Sequence, residues 1–251
     1  MTFAFLPEGP AVLIENEERV LVIADLHFGI EADLAVHGIH FRSRSRARLD
    51  RLIRTIRDAD PDRLVLLGDI KHSIPAVTWQ EYHELPEIFH TLRNLVPLEI
   101  FPGNHDIGIE RFCKDGELWP KEGGVIDGTG YFHGHTYPSP SLAGHLLVIG
   151  HHHPLVSIRD EVGCALQAPA YIRAVADAAR LGFPIADAGQ VQVPVMFVPS
   201  FNEIAGYDIA RIVRDPFSPV SRCMDKVTAE IILSDGTFLG PLRAVMADED
   251  D

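Results

Sequence analysis

The sequence predicts an α/β fold, a layered sheet with helices packed against it. Two observations carry this. In the first half of the chain, apolar runs alternate with amphipathic ones in the order strand, helix, strand, helix, strand. Each apolar run also ends in a short polar cluster, and the ligands of open α/β sheets gather at the carboxyl ends of strands.

The elements follow in order. Ala11 to Ile14 and Arg19 to Ala24 read as strands joined by the polar turn Glu15 to Glu18. The second is apolar nearly throughout, as a central strand covered on both faces requires, and it ends in Asp25-Leu26-His27. Gly29 to Gly38 reads as a short helix or loop. Ser45 to Asp58 is a firmer helix, with Leu49, Leu52, Ile53 and Ile56 at i, i+3, i+4 and i+7. Arg63 to Leu67 is the next buried strand and ends in Gly68-Asp69-Ile70-Lys71-His72. Thr78 to Leu95 reads as a helix kinked or broken at Pro86. Leu98 to Phe101 is the third strand of the series and leads into Gly103-Asn104-His105-Asp106.

Beyond Gly123 the strands shorten. Val125-Ile126, Gly130 to Phe132, Leu146 to Ile149, Leu155 to Arg159 and Val193 to Val198 read as strands, and Ala170 to Leu181 as a helix. Glu230 to Leu239 reads as a hairpin turning at Asp235-Gly236. There is no repeat and no Ser- or Pro-rich linker, so residues 1–246 are expected to form one domain and 247–251 a frayed acidic tail. Trp79 and Trp119 read as packing residues.

Composition narrows the function. With 46% hydrophobic and 23% charged residues, the chain has ample material for a core. A formal charge of -14 opposes general affinity for nucleic acid or anionic membrane. No apolar run approaches a membrane span and the start lacks the pattern of a signal peptide, which points to the cytoplasm. Cys113, Cys164 and Cys223 are few and far apart, which fits a reducing compartment. Seven arginines lie between Arg42 and Arg57. They mark either a phosphate-tracking edge or a solvated helix face, and the second is the commoner meaning of a charge run.

Thirteen histidines are many for this length, and they cluster in motifs. Five strand ends carry Asp25-x-His27, Gly68-Asp69, Gly103-Asn104-His105-Asp106, His133-Gly134-His135 and Gly150-His151-His152-His153. A lone His beside Gly is usually an ordinary hydrogen-bonded residue, but five such motifs after five strands make coincidence a poor explanation. Their mixture of carboxylate, imidazole and amide oxygen suits borderline divalent ions such as manganese, iron or zinc better than calcium or magnesium. Asp25 and His27 are two apart, so on an extended segment both point to one side and can grip one ion; His151 and His153 have the same relation. Asp69 is the natural bridge, because Gly68 lets backbone approach closely.

These motifs, in this order and at strand ends, resemble the calcineurin-like metallophosphoesterases over about residues 20 to 155. Gly68-Asp69-x-Lys71-His72, His133-Gly134-His135, Gly150-His151-x-His153-Pro154 and Ser200-Phe201-Asn202 look like an archaeal-type branch similar to the phosphoesterases associated with DNA ligase. The resemblance implies a four-layer α-β-β-α sandwich of two mixed sheets flanked by helices. It implies two divalent ions, manganese first and iron, zinc, nickel or cobalt as alternatives. Asp25, His27 and His153 would hold one ion, Asn104, His133 and His151 the other, and Asp69 would bridge. His105 would face the substrate as general acid or phosphate stabiliser, oriented by Asp106. Lys71, His72, His135 and His152 are candidates for contacting substrate or supporting the ligands, or are structural. The implied reaction is hydrolysis of a phosphoester, with a slight lean to a phosphodiester of nucleic acid or a nucleotide. A phosphomonoesterase acting on a small metabolite is the alternative, and a non-catalytic metal-binding interaction module a weaker one.

Overall fold

The computed structural model describes residues 1–39, 42–159, 165–184 and 192–247. The first sheet contains β1 (Thr2–Phe5), β2 (Val12–Glu15), β3 (Arg19–Ala24), β4 (Arg63–Leu67) and β5 (Leu98–Ile100), in that spatial order. The first three are antiparallel neighbours, and β3, β4 and β5 are parallel. Parallel pairs need crossovers. Helices α1 (Ile30–Val36) and α2 (Ser45–Ala59) supply one and α3 (Trp79–Arg93) the next.

The second sheet is built from β6 (Gly124–Ile126), β7 (Thr129–Phe132), β8 (Leu146–Ile149), β9 (Pro154–Arg159), β10 (Ala165–Asp177), β11 (Gln192–Phe197) and β12 (Tyr207–Asp208). Its spatial order is β12-β9-β10-β11-β8-β7-β6, with β13 (Glu230–Leu233) attached to β10 and β14 (Phe238–Pro241) to β13. Parallel and antiparallel pairs mix in it, as β8 is parallel to β7 and β11, whereas β10 is antiparallel to β9 and β11. Helices α4 (Ile209–Arg214), α5 (Pro219–Cys223) and α6 (Leu242–Ala247) close the chain.

Three apolar clusters show the layering. Leu21, Ile23, Leu64 and Leu66 pack on Leu49, Leu52, Leu85 and Phe89 of α2 and α3. Val22, Val65 and Phe101 on the other face meet Tyr131, Val148, Tyr171 and Met196 of the second sheet. Leu147, Ile172, Val195 and Phe197 then pack on Ile209, Ile212 and Val220 of the C-terminal helices. The order is helices, sheet, sheet, helices. It follows from strands that are apolar on both faces and must be covered on both.

Three expectations are corrected. Ala170 to Leu181 is not a helix; Ala170 to Asp177 belongs to β10 and Ala178 to Gly182 form a turn. The alanines suggest a helix, but Ile172, Ala174 and Ala176 alternate into one core while Tyr171 enters the other, and two-sided pairing overrides propensity. Pro86 does not break α3, because the residue is exposed and the lost hydrogen bond falls on the solvent side. Trp119 packs, its ring stacked 5.2 Å from Phe101, but Trp79 is 78% exposed at the start of α3. The expected tail begins at Ala247, the last residue of α6; residues 248–251, like Cys164, lie outside the described residues.

The arginine run is mostly a solvated face, with Arg42, Arg44, Arg46, Arg54 and Arg57 exposed, but Arg48 and Arg51 turn inward. Arg48 is buried, with its guanidinium 3.4 Å from both Glu31 and Glu203. Arg44 and Arg51 also pair with Glu203, Arg54 with Glu8, and Arg46 with Asp50 and Glu87. Removing one partner of a buried pair leaves the other charge uncompensated. Arg48→Ala should therefore destabilise the fold by about 3–5 kcal/mol, read by urea denaturation. A loss below about 1 kcal/mol, the scale of an exposed pair, would contradict this.

Candidate metal centre

The strand ends from both sheets converge on one spot. The segment after β3 runs beside the one after β4, with the Asp25, His27 and Phe28 amides donating to the Gly68, Asp69 and Ile70 carbonyls at 3.1, 2.8 and 2.8 Å. The Asp25 carboxylate accepts from the His151 amide at 3.0 and 3.2 Å, which ties in the end of β8. Asp69 Oδ1 accepts from the His105 amide at 2.8 Å, which ties in the end of β5. His133, after β7, donates from Nδ1 to the Leu67 carbonyl at 2.8 Å.

The backbone here is not extended, as the same-side argument for Asp25 and His27 supposed. Asp25, His27, Asp69, His151 and His153 have φ of 57°, 45°, 48°, 69° and 43°. They are five of the seven non-glycine residues with positive φ among those described. Each costs ~1–3 kcal/mol and persists only where the surroundings over-determine it. Left-handed turns, rather than period-two alternation, aim these side chains together. They also split His151 from His153, which enter different groups.

Those groups are Asp25, His27, Asp69 and His153 on one side, and Asp69, His133 and His151 on the other, with donor atoms within 4.8 Å of one another in each. Asp69 belongs to both. Its Oδ2 is 3.4 Å from His133 Nε2 and 3.8 Å from His27 Nε2. Asp25 Oδ1 is 3.1 Å from His153 Nε2. Two glycines permit this crowding. A Cβ on Gly103 would lie 2.1 Å from Asp69 Oδ1, and one on Gly68 2.5 Å from His133 Nδ1. Gly103→Ala should thus cost most of the bound metal while leaving the far-ultraviolet dichroism native. A variant with wild-type metal content by elemental analysis would contradict it.

The residues fit a cation on two independent grounds. Asn104 Oδ1 and His133 Nε2 are buried and make no hydrogen bond, although leaving such an acceptor unpartnered costs ~1–3 kcal/mol. Both are donor atoms of the kind a divalent ion takes. The second ground is electrostatic. Burial favours the neutral imidazole of His133, yet the Asp69 and Asp25 carboxylates overcome it and raise its pKa to about 10. Burial would likewise raise Asp69, but His133, His27 and His105 outweigh it and hold the carboxyl well below its usual range. Burial pushes His151 down to about 2, with His133 adding to the effect, and keeps its lone pairs free of protons. The site holds a negative field that favours a positive charge, beside the His27 and His151 imidazoles, which burial keeps unprotonated.

Other expected residues fall differently. His105 is at the rim, its side chain 23% exposed, with Nδ1 on the His72 carbonyl and Nε2 4.0 Å from Asp69 Oδ2. Asp106 does not orient it. The Asp106 carboxylate accepts from the Ile70 and Lys71 amides at 2.9 and 3.2 Å and from the Gly103 amide at 2.8 Å, a brace between two strand ends. Burial raises its pKa to about 6, and Asp69 adds to the shift. Lys71 is fully buried with Nζ on the Ser73 carbonyl, which makes it neither a surface residue nor an open phosphate contact. His72 lies between His27 (Nδ1 to Nδ1, 3.2 Å) and Asp33 (3.7 Å), stacked on His105. His135 lies beside the second group, its ring 5.2 Å from His133 and its buried Nδ1 without a partner among the described residues. His152 points away, bonded to Ser218 at 2.8 Å and the Gly150 carbonyl at 3.0 Å. It is structural, because adjacent residues in a tight turn face opposite ways.

Sequence reasoning left Ser200 and Asn202 without a task. Ser200 Oγ donates to the Asp25 carbonyl at 2.8 Å, and Asn202 Nδ2 to the Leu26 and His27 carbonyls at 3.0 and 3.3 Å. The available signal was a Ser-x-Asn directly after the last long apolar strand.

A four-layer α/β sandwich with two carboxylate–imidazole groups sharing one aspartate defines a metal-binding hydrolase. A family model of the calcineurin-like phosphoesterases matches residues 18–166, more than half of the chain. The chain belongs to that family. Over 63 residues it is 32% identical to the serine/threonine-protein phosphatase CPPED1 of Pongo abelii. That match takes in 22% of this chain and spans about a fifth, 20%, of the length of that relative. Among solved structures, the nuclease MPE of Pseudomonas putida aligns over 95% of this chain and 99% of its own, with a TM-score of 0.55 and 18% identity. The phosphoesterase Yfce of E. coli aligns over 56% of this chain and 73% of its own, with a TM-score of 0.36 and 16% identity.

Proposed function

We propose that the chain hydrolyses a phosphoester at a pair of divalent ions, with a slight preference for a phosphodiester. The sharing of Asp69 between two donor groups is the observation that carries this reading. Asp25, His27 and His153 would hold one ion, Asn104, His133 and His151 the other, and Asp69 both. When bound, such a pair activates water for in-line attack and clamps the phosphoryl oxygens. Manganese heads the choices for this donor set, with iron, zinc, nickel or cobalt as alternatives.

The protein's own groups do the rest. The His133 Nδ1–H on Leu67 O fixes the tautomer, so that Nε2 presents a lone pair. His105 is anchored through Nδ1 to the His72 carbonyl, which leaves Nε2 at the rim to bond a phosphoryl oxygen. When protonated, that nitrogen donates to the leaving oxygen. Residues 1–246 serve as one domain in this reading, because the strand ends of both sheets supply donors. Among the described residues Cys113 and Cys223 are free, which accords with a cytoplasmic protein; no helix among them is long and apolar enough to cross a membrane.

The lean to a diester rests on the family and on the naming of its fold neighbour as a nuclease. The arginine run no longer supports nucleic acid, since five of its members pair with acids of the chain itself. The test compares bis(p-nitrophenyl) phosphate with the monoester, with added manganese and with chelator. Manganese-dependent cleavage, faster on the diester, is expected. Faster monoester cleavage selects the phosphomonoesterase reading. No metal-dependent cleavage of either leaves a binding module.

A further inference from the structure

We infer that Ser200-Phe201-Asn202, anchored by the arginines of α2, is a latch that holds Asp25 and His27 in the left-handed conformation their metal site needs. The inference rests on the proposed metal reading and assigns Ser200 and Asn202 as positioning residues. Asp25 and His27, at φ of 57° and 45°, pay a conformational cost that the turn must offset.

The latch supplies four bonds to that one turn. The Phe201 amide donates to the Ala24 carbonyl at 2.9 Å. Ser200 Oγ donates to the Asp25 carbonyl, and Asn202 Nδ2 to the Leu26 and His27 carbonyls. Carbonyls 24 to 27 are therefore held in succession, and a residue whose carbonyl is fixed cannot relax toward an extended ψ. Both side chains are buried, Ser200 at 5% and Asn202 at 2% exposure, so water does not compete for these bonds. Asn202 is itself oriented, since its Oδ1 accepts from the Ile204 amide at 2.9 Å.

The back of the latch is what the arginine run attends to. Arg51 donates to the Phe201 carbonyl and its guanidinium stacks 4.3 Å from the Phe201 ring. Glu203, next in sequence, meets Arg44 at 2.8 Å, Arg48 at 3.4 Å and Arg51 at 3.5 Å. Helix α2 thus grips the loop that grips the metal turn. Among the described residues the second donor group has no contact of this kind, as His133 and His151 are fixed through Leu67 and Asp25.

Manganese titration of the full chain by calorimetry tests the latch. Asn202→Asp keeps the size and the Oδ1 acceptor but sets a carboxylate against two carbonyls. Ser200→Ala, which removes the bond to the Asp25 carbonyl and the one that Ser200 Oγ accepts from the Asn202 amide, is the alternative variant should Asn202→Asp fold poorly. Each should weaken one of two manganese steps by ~10–100-fold, the scale seen when a ligand's support is removed. Turnover at saturating manganese should recover to near the wild-type value. Arg54→Gln, in an outlying pair with Glu8, should leave both steps unmoved. Unchanged titrations with a lowered melting midpoint of the metal-free variants would mean a merely structural role and overturn the inference alone. A wild-type chain that takes up no manganese overturns the phosphoesterase reading and the latch with it.

Discussion

Asp69→Asn should abolish turnover, by on the order of 10³-fold or more, as removal of a principal electrostatic element does. The replacement is isosteric. Its Oδ1 can keep the 2.8 Å bond from the His105 amide, so the loop between β5 and its neighbours should persist. What goes is the charge both donor groups share, 3.4 Å from His133 and 3.8 Å from His27. A neutral amide there cannot hold two cations between the groups. Elemental analysis should show the loss of both ions, and NMR titration of metal-free protein should show the His133 pKa falling from about 10, since Asp69 leads the groups that raise it. A variant that retains two ions and a tenth of wild-type activity would refute the bridging role.

His105→Ala has the second-largest expected effect and the opposite signature. Both ions should remain, because the ring belongs to neither group that shares Asp69. Turnover should fall by about 10²–10⁴-fold, the range for a lost general acid. The loss should be greatest for esters of ordinary alcohols, whose oxygen needs a proton to leave, and smaller for p-nitrophenyl esters, whose phenolate leaves unaided. Loss of metal in His105→Ala would move that residue from the substrate side to the metal side. Comparable losses for good and poor leaving groups would point to phosphate stabilisation instead of proton transfer.

Much of the candidate site was legible because its residues lie in short motifs at strand ends. Asp25-x-His27, Gly68-Asp69, Asn104-His105, His133 and His151-x-His153 can be found without coordinates, and Asp25, His27, Asp69, His133, His151 and His153 fall into two groups that share Asp69. What misled was local geometry. Reading Asp25 and His27 as extended gave a right neighbourhood for a wrong reason, since sequence spacing carries no sign of φ. Asp106 follows His105 in the chain but spends its carboxylate on three backbone amides. Lys71 and His152 look available beside Asp69 and His151, yet burial takes both away.

By itself the sequence determined the alternation of β3, α2, β4, α3 and β5, and with it the side of the sheet on which chemistry would be found. It also determined the kinds of donor atom, because hydrophobic periodicity and motif order are local properties of the chain. The tertiary structure alone decided that Ala170 to Asp177 is a strand, since only pairing with β11 and β13 outweighs alanine's helical preference. It alone decided that Ser200 and Asn202 brace a turn some 175 residues away, and that five of the arginines pair with the protein's own acids. Each of these depends on contacts between residues distant in sequence, where pattern holds no information and packing does.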